Sequence, residues 1–369
     1  MKRQFSITAV ALCVLAMPVL ADDEEWSFKI GGLLHTDSVN FSDDLTPIES
    51  DTDFRRARLK TQARYGDWRI RADYEFGLAE GWRSTFVEYS GFRKQRIVVG
   101  NQVAPFSMED LTGSRYLSLT ERSIASALSP GMLLGASWRT WRDQWSFHAG
   151  VFGDELSDLD RRRLPGTSVV GRFTFAPVQT RESALHLGIA AEARSVDSGA
   201  RVRLRARPGS RLTNVRLADT RSIDGVNDST SLGLEAAWSY DRFKIQGEYT
   251  SLSLDGAPES FSFASNYVAA SYLIGAEPYS YRASRGNFRR VKPESKWGAL
   301  ELTARVANLD LNDGSVEGGE HREVTFGVNY IFDRHLRLML THAQIDARPN
   351  RDGLDEDVSV TAIRLQLSL

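Results

Sequence analysis

Four arginines stand at every second position in Arg201-Val202-Arg203-Leu204-Arg205-Ala206-Arg207. In an extended chain, residues two apart project to the same side at a spacing of roughly 6–7 Å. All four guanidinium groups would then share one face. Four like charges so arranged repel one another unless water or anions screen them. The guanidinium fork pairs bidentately with phosphate or carboxylate. Two readings follow from the run alone: a ladder that hands an anion along a pore, or a solvated basic loop that meets outer-leaflet lipopolysaccharide. Pro208 ends the run.

Two further basic sets could serve the same chemistry. In Phe54-Arg55-Arg56-Ala57-Arg58-Leu59-Lys60, alternation puts Arg56, Arg58 and Lys60 on one face, opposite Ala57 and Leu59. If this segment crosses a membrane, its basic face belongs in a lumen, because a cation facing lipid near the midplane costs about 2–4 kcal/mol. The third set runs from Tyr281-Arg282 to Arg289-Arg290-Val291-Lys292-Pro293 and is rich in loop formers. Arginine makes up 39 of the 46 basic residues, a bias that genomic composition alone could also produce. Enzyme signatures are missing: there is no G-x-S-x-G, H-E-x-x-H, G-x-x-x-x-G-K-[ST] or C-x-x-C. The histidines His35, His148, His186, His321, His335 and His342 lack metal-ligand spacing. No catalytic residue, metal, cofactor or nucleic-acid partner is expected.

Such side chains act together only if the chain holds them around a common space. Trp145, Phe147, Ala149 and Val151 alternate with Gln144, Ser146 and His148. Leu300, Leu302, Ala304 and Val306 alternate with Glu301, Thr303 and Arg305, and Ile363, Leu365, Leu367 and Leu369 with Arg364, Gln366 and Ser368. These are strands with one apolar and one wet face. A β-sandwich shows the same alternation. The segments, however, run to about 9–11 residues, the length of a tilted membrane strand, where ordinary strands average about 5–6. Arg and Glu stand in mid-strand, as a water-lined face allows. Tight turns such as Gly66-Asp67, Tyr240-Asp241 and Asp333-Arg334 alternate with long connections near 37–51, 105–130, 197–230 and 348–356, as in outer-membrane barrels.

Strands are expected near 26–36, 52–65, 67–77, 82–91, 95–104, 131–141, 144–153, 167–176, 183–196, 231–240, 242–253, 263–275, 296–309, 321–332, 334–346 and 357–369. These make sixteen, an even number, as single-chain bacterial barrels require, and a barrel of that size leaves an aqueous channel. By strand parity the third basic set follows a strand that ends on the periplasmic side, where turns are short. A long connection there points to a segment folded into the barrel. The eight tryptophans fall inside or beside the strands, where interfacial aromatic girdles would need them.

The N-terminus sets the compartment. Lys2 and Arg3 precede an apolar stretch from Phe5 to Val19, and Val19-Leu20-Ala21 offers a cleavage site before Asp22-Asp23-Glu24-Glu25. That pattern is a secretory signal peptide, residues 1–21, ahead of a single domain, 22–369. The one cysteine, Cys13, would leave with it, so no disulfide is available. Without Lys2 and Arg3, 44 basic side chains face 48 acidic ones, a net charge of −4. After the signal there is no apolar run of about 18 residues, so no helical span is expected.

At these residues the chain resembles the phosphate-selective porin O and P family, over essentially all of 22–369. The marks are Phe54-Arg55-Arg56-Ala57-Arg58-Leu59, Val99-Gly100 followed by Pro105-Phe106-Ser107-Met108-Glu109, His186-Leu187-Gly188, the run from Arg201 to Pro208, Glu277-Pro278 through Lys292-Pro293-Glu294, Trp297-Gly298-Ala299-Leu300-Glu301-Leu302, and Phe326-Gly327-Val328-Asn329-Tyr330. The resemblance implies an all-β, 16-stranded antiparallel transmembrane β-barrel with inward-folded loops, assembled as a homotrimer in the outer membrane. It also implies that Arg55 and Arg56 lie near an anion-binding zone, that Arg201, Arg203 and Arg205 form a ladder, and that Arg282 and Lys292 stand at two of three central lysine positions. The third position holds Asp110, a carboxylate where the family has an ammonium. Two departures follow: Asp110 weakens the expectation of phosphate selectivity, and the chain ends on Leu369 rather than an aromatic residue.

The expected function is passive diffusion of small anions, such as phosphate or polyphosphate, through a pore lined by Arg55, Arg56, Arg58, Arg201, Arg203, Arg205, Arg207, Arg282 and Lys292, with Asp110 among them. The alternatives are a general or cation-preferring porin of the same fold, and a plugged structural protein of the outer membrane.

Overall fold

Period-2 alternation gives each strand one face suited to water and one suited to lipid, and a sheet satisfies both by rolling up on itself. The computed structural model describes residues 25–43, 45–157, 162–256 and 259–369; the expected signal peptide, 1–21, lies outside them. Among the described residues sixteen strands form one closed barrel. They are β1 (Ser27–Ser42), β2 (Asp51–Tyr65), β3 (Trp68–Glu75), β4 (Gly81–Tyr89), β5 (Gln95–Val103), β6 (Met132–Trp141), β7 (Trp145–Phe152) and β8 (Gly166–Gln179). The circuit continues through β9 (Ser183–Val196), β10 (Val226–Tyr240), β11 (Phe243–Gly256), β12 (Phe261–Ile274), β13 (Ala299–Asp313), β14 (Val316–Ile331), β15 (Leu336–Ala347) and β16 (Glu356–Ser368). Each pairs antiparallel with its sequence neighbours, and β16 closes on β1 from Leu33 opposite Ser368 to Ser42 opposite Ser359.

The register puts the expected faces where alternation demands. On β13, Glu301 is 2% exposed and Arg305 4%, while Leu302 and Val306 are each 40% exposed on the outer wall. Arg364 and Gln366 point inward on β16; Ile363, Leu365 and Leu367 point out. β1, β8, β10 and β14 run to 14–16 residues, longer than the sequence pattern suggests, while β9 spans the expected 183–196. The connection expected after residue 309 shrinks to a two-residue turn, Gly314-Ser315, with Gly314 at φ 54°. The reason is that Asp310 and Asn312 stay in the ladder through a register irregularity, polar though they are.

Tryptophans other than Trp82 collect at the tight-turn end. Trp26 stacks on Tyr65 at 5.1 Å, Trp68 packs on Tyr89 at 4.7 Å, and Trp238 meets Phe243 at 6.1 Å. This is one interfacial girdle, where rings keep an apolar body in lipid and a polar edge in water.

Three segments turn inward: the stretch 201–216, whose Leu204 and Ala206 bury in one apolar cluster with Phe263, and two others. The connection 104–131 crosses the lumen with a short helix, α1 (Met108–Leu111), capped by the Ser107 hydroxyl accepting from the Asp110 N–H. From the tight-turn end, the connection between β12 and β13 enters as a small hairpin pairing Tyr281–Arg282 with Asn287–Phe288. Both pack on apolar patches of the inner wall: Ile124 and Leu128 lie in one cluster with Leu252, Phe263 and Leu309, and Met108, Tyr279, Tyr281 and Phe288 in another with Leu273.

Val306 sits at the middle of β13 on the outer face. Val306→Arg should cost about 2–4 kcal/mol of folding free energy in lipid, whereas Val306→Leu should cost less than about 1.5 kcal/mol. Denaturant titration of folding into vesicles measures both; equal stability of the two variants would mean that this face does not meet lipid.

Candidate functional site

The inward segments divide the lumen and leave a central cavity of about 740 Å³. Its walls are built from three sources. Strand β2 contributes Arg55, Arg56, Arg58 and Lys60, and β3 contributes Arg71. Neighbouring residues of one strand should face opposite ways, yet Arg55 and Arg56 both reach the cavity. A bulge explains it: opposite β2, His35 pairs with Arg56 and Thr36 with Phe54, so Arg55 is the extra residue. The inward loop contributes Asp110, Arg115, Tyr116, Glu121 and Arg122. The segment 205–216 and the hairpin connection supply Arg205, Arg207, Arg211, Arg216, Arg282, Arg285, Arg289, Arg290 and Lys292. With Arg83 of β4, seventeen lining side chains among the described residues are Arg or Lys, against three carboxylates: Asp110, Glu121 and Glu323.

The carboxylates near the wall are engaged. Arg55 donates through Nε and Nη2 to Glu121. Arg58 lies 3.0 Å from Glu75 and Arg71 2.6 Å from Asp73. Arg364 holds Asp37 with two bonds of 2.6 Å and also donates to the Thr120 carbonyl, tying β16, β1 and the inward loop together. Burial would raise the Glu121 carboxyl, but Arg55, Arg364 and Arg56 outweigh it and hold the group well below the usual carboxylate range. Asp110 lies 3.2 Å from Arg122, whose guanidinium also donates to the Glu109, Asp110 and Thr112 carbonyls.

Guanidinium groups on the loops also act on one another. Arg282 is pushed down to about 10 by burial and then by Arg285 and Arg289. Arg207 is pushed down to about 10 by burial, Arg55 and Arg205. Arg216 falls to about 9 through burial, Arg207 and Arg205. All three remain protonated at neutral pH, and an anion among them would relieve the repulsion.

The Arg201–Arg207 run is split by its surroundings. Val202, Leu204 and Ala206 bury against the wall, which turns the arginines to the other side. Arg205 and Arg207 line the cavity; Arg201 and Arg203 do not. Arg203 is bound by Asp219 at 2.8 Å from the adjoining short strand Ala218–Asp219, and Arg201 is exposed, 3.8 Å from Asp224. Of the other expected residues, Arg55, Arg56, Arg58, Arg282, Lys292 and Asp110 all line the cavity, with Lys292 also 3.0 Å from Glu277. Arg71, Arg83, Arg115, Arg122, Arg211, Arg216 and Arg285 line it without having been singled out in the sequence. Alternation with Trp68 and Ile70 could have flagged Arg71 as inward-facing; Arg115 and Arg122 sit in irregular loop and carry no local signal.

The hairpin is anchored by the wall. Arg172 donates to Glu235 at 2.8 Å and to the Arg285 and Gly286 carbonyls at 3.2 and 2.8 Å, and His186 bridges Tyr281 and Glu235. Gly286 adopts φ 58°, and a Cβ there would come within 2.8 Å of Thr174 and 2.9 Å of the Arg172 guanidinium.

A family model described as phosphate-selective porin O and P matches residues 28–369. Porin O of Pseudomonas aeruginosa is 26% identical over 95% of this chain and 90% of its own length. Among solved structures, the outer membrane channel DcaP of Acinetobacter baumannii superposes with a TM-score of 0.60 at 10% identity, covering 93% of this chain and 97% of that one. The trimer form of OmpT, an outer membrane protein of Vibrio cholerae, gives 0.58 at 14% identity, covering 93% and 99%. These two likenesses speak to the fold.

Glu121→Ala should strip the inward loop of its bond to Arg55. Charge-assisted hydrogen bonds contribute about 1.5–3 kcal/mol, so local opening of 104–131 should rise about ten- to hundredfold. Amide hydrogen exchange measures this; unchanged protection of that segment would show that Glu121 does not hold the loop.

Proposed function

The chain belongs to the phosphate-selective porin O and P family and is an outer-membrane porin, and from that premise we propose that it passes small anions, phosphate among them, through the arginine-rich cavity between its inward segments. The observation that carries the reading is the seventeen-to-three excess of basic over acidic side chains among the described residues around one lumenal space. A cleft lined by one sign of charge concentrates counter-ions. Guanidinium forks match the oxygen pairs of a phosphate, and several such forks let an oxyanion exchange partners without full rehydration. Arg205 and Arg207 serve as the approach on the loop side, Arg55, Arg56 and Arg58 as the wall, and Arg282 and Lys292 as the exit on the tight-turn side. Asp110 stands among them with its charge shared by Arg122, so its cost to a bound anion is tempered rather than absent. Assembly as a homotrimer in outer-membrane lipid and removal of residues 1–21 belong to the same reading; no cofactor takes part.

Reversal potential of the purified protein in a planar bilayer under a salt gradient tests this. Anion preference is expected, and phosphate should block chloride current. Arg205→Ala and Arg207→Ala should each lower the preference, more at low salt than at high, because screening shortens the reach of the lost charge. Asp110→Asn should tighten phosphate block about fivefold, as expected from the about 1 kcal/mol that a unit charge at 4 Å contributes in water. A cation-preferring or unselective current would replace the proposal with a general porin, and no current at all with a plugged structural protein.

A further inference from the structure

A second, smaller cavity lies between the inward loop, the hairpin and the wall formed by β11, β12 and β13. It measures about 60 Å³, and only a few residues, Tyr116 and Phe288 among them, border both cavities. Lys244 of β11 points into it and is 8% exposed. Its Nζ lies 4.8 Å from the ring centre of Tyr279 and 5.4 Å from that of Phe288. Those faces attract a cation but leave its three N–H donors without oxygen acceptors. Among the described residues the ammonium has no hydrogen-bond or ion-pair partner. Three carboxylates line the same cavity and each is engaged: Glu109 accepts from the Ser123 N–H at 3.1 Å, Glu121 accepts from Arg55, and Glu301 accepts from Ser118 Oγ at 2.8 Å, Tyr279 Oη at 3.0 Å, Asn329 Nδ2 at 3.1 Å and Arg337 Nη2 at 2.8 Å.

A buried ammonium with nothing to accept its protons is costly, so the cavity needs an occupant. We propose that it holds a monovalent anion of halide size on the Lys244 ammonium. Size and charge both lead there. A water needs roughly 10–15 Å³ on this measure, so the space takes one ion slightly larger than water with a few waters beside it. Of the other donors near it, Arg305 reaches Glu323 at 2.8 Å and the Glu121 carbonyl at 3.1 Å with its Nε left unbonded, Gln246 Nε2 reaches Tyr267 at 2.9 Å, and Arg289 borders both cavities. One ammonium with three donors balances a single negative charge and offers too little to strip the hydration shell from a phosphate dianion. The ion sits behind the inward loop, out of the central cavity, and lets loop, hairpin and wall pack around a neutralised lysine.

Crystals of the protein soaked in bromide test the site by anomalous scattering. A bromide peak within hydrogen-bonding reach of Lys244 Nζ is expected, lost in Lys244→Met while peaks in the central cavity persist. If the Met variant does not fold, Lys244→Gln, which keeps donors but not charge, should likewise lose the peak. The thermal midpoint of the native protein should also rise with bromide more than that of either variant, by the mass action of a ligand bound only to the folded state. A position beside Nζ without anomalous signal, meaning water only, overturns the proposal; so does a peak that survives removal of the lysine charge.

Discussion

A strand surrounded by hydrocarbon has no water to satisfy its N–H and C=O groups, so every one must pair with a neighbouring strand. Closure of β16 on β1 meets that demand, and much of the rest follows from it. A closed sheet has an inside, and the inside of a barrel with sixteen strands is too wide for wall side chains alone to fill. The inner faces therefore carry charge, and the chain returns to the lumen three times to build on them.

Charge pairing then sorts the interior into a fixed part and an available part. Where arginine and carboxylate meet on neighbouring strands, as Arg305 with Glu323 or Arg364 with Asp37, both are consumed and the contact becomes structure. Buried pairs of this kind are poor sources of net stability but expensive to break from one side, which makes them good fasteners for a loop that must stay in place. Arg364 and Arg305 extend the same guanidinium groups to the Thr120 and Glu121 carbonyls, so the wall's pairing positions the loop's backbone. Among the described residues of the segments that enter the lumen, arginine outnumbers carboxylate around the cavity.

Apolar patches complete the division. Val202, Leu204 and Ala206 alternate with arginines and bury against Leu252, Leu254 and Phe263, so packing rather than charge decides which way Arg205 and Arg207 point. The tyrosines and phenylalanine of the hairpin do the same at the tight-turn end and leave Lys244 above their rings.

The strand pattern was legible from residue order because period-2 alternation is local: Leu302 beside Glu301, or Ile363 beside Arg364, states which face is wet whatever the partner strand. Strand number, the inward and outward face of each strand and the basic character of β2, 201–207 and 282–292 follow from the sequence by itself for that reason. What only the tertiary structure decided depends on residues far apart in the chain. The bulge that turns Arg55 inward beside Arg56 is a property of the β1–β2 pairing. The loss of Arg203 to Asp219 depends on a short strand sixteen residues later. The sharing of Asp110 with Arg122 depends on how an irregular loop folds back on itself. Alternation says which side of the wall a charge occupies; whether that charge is spent on a neighbour or left for an ion is a matter of three-dimensional distance, which no local pattern encodes.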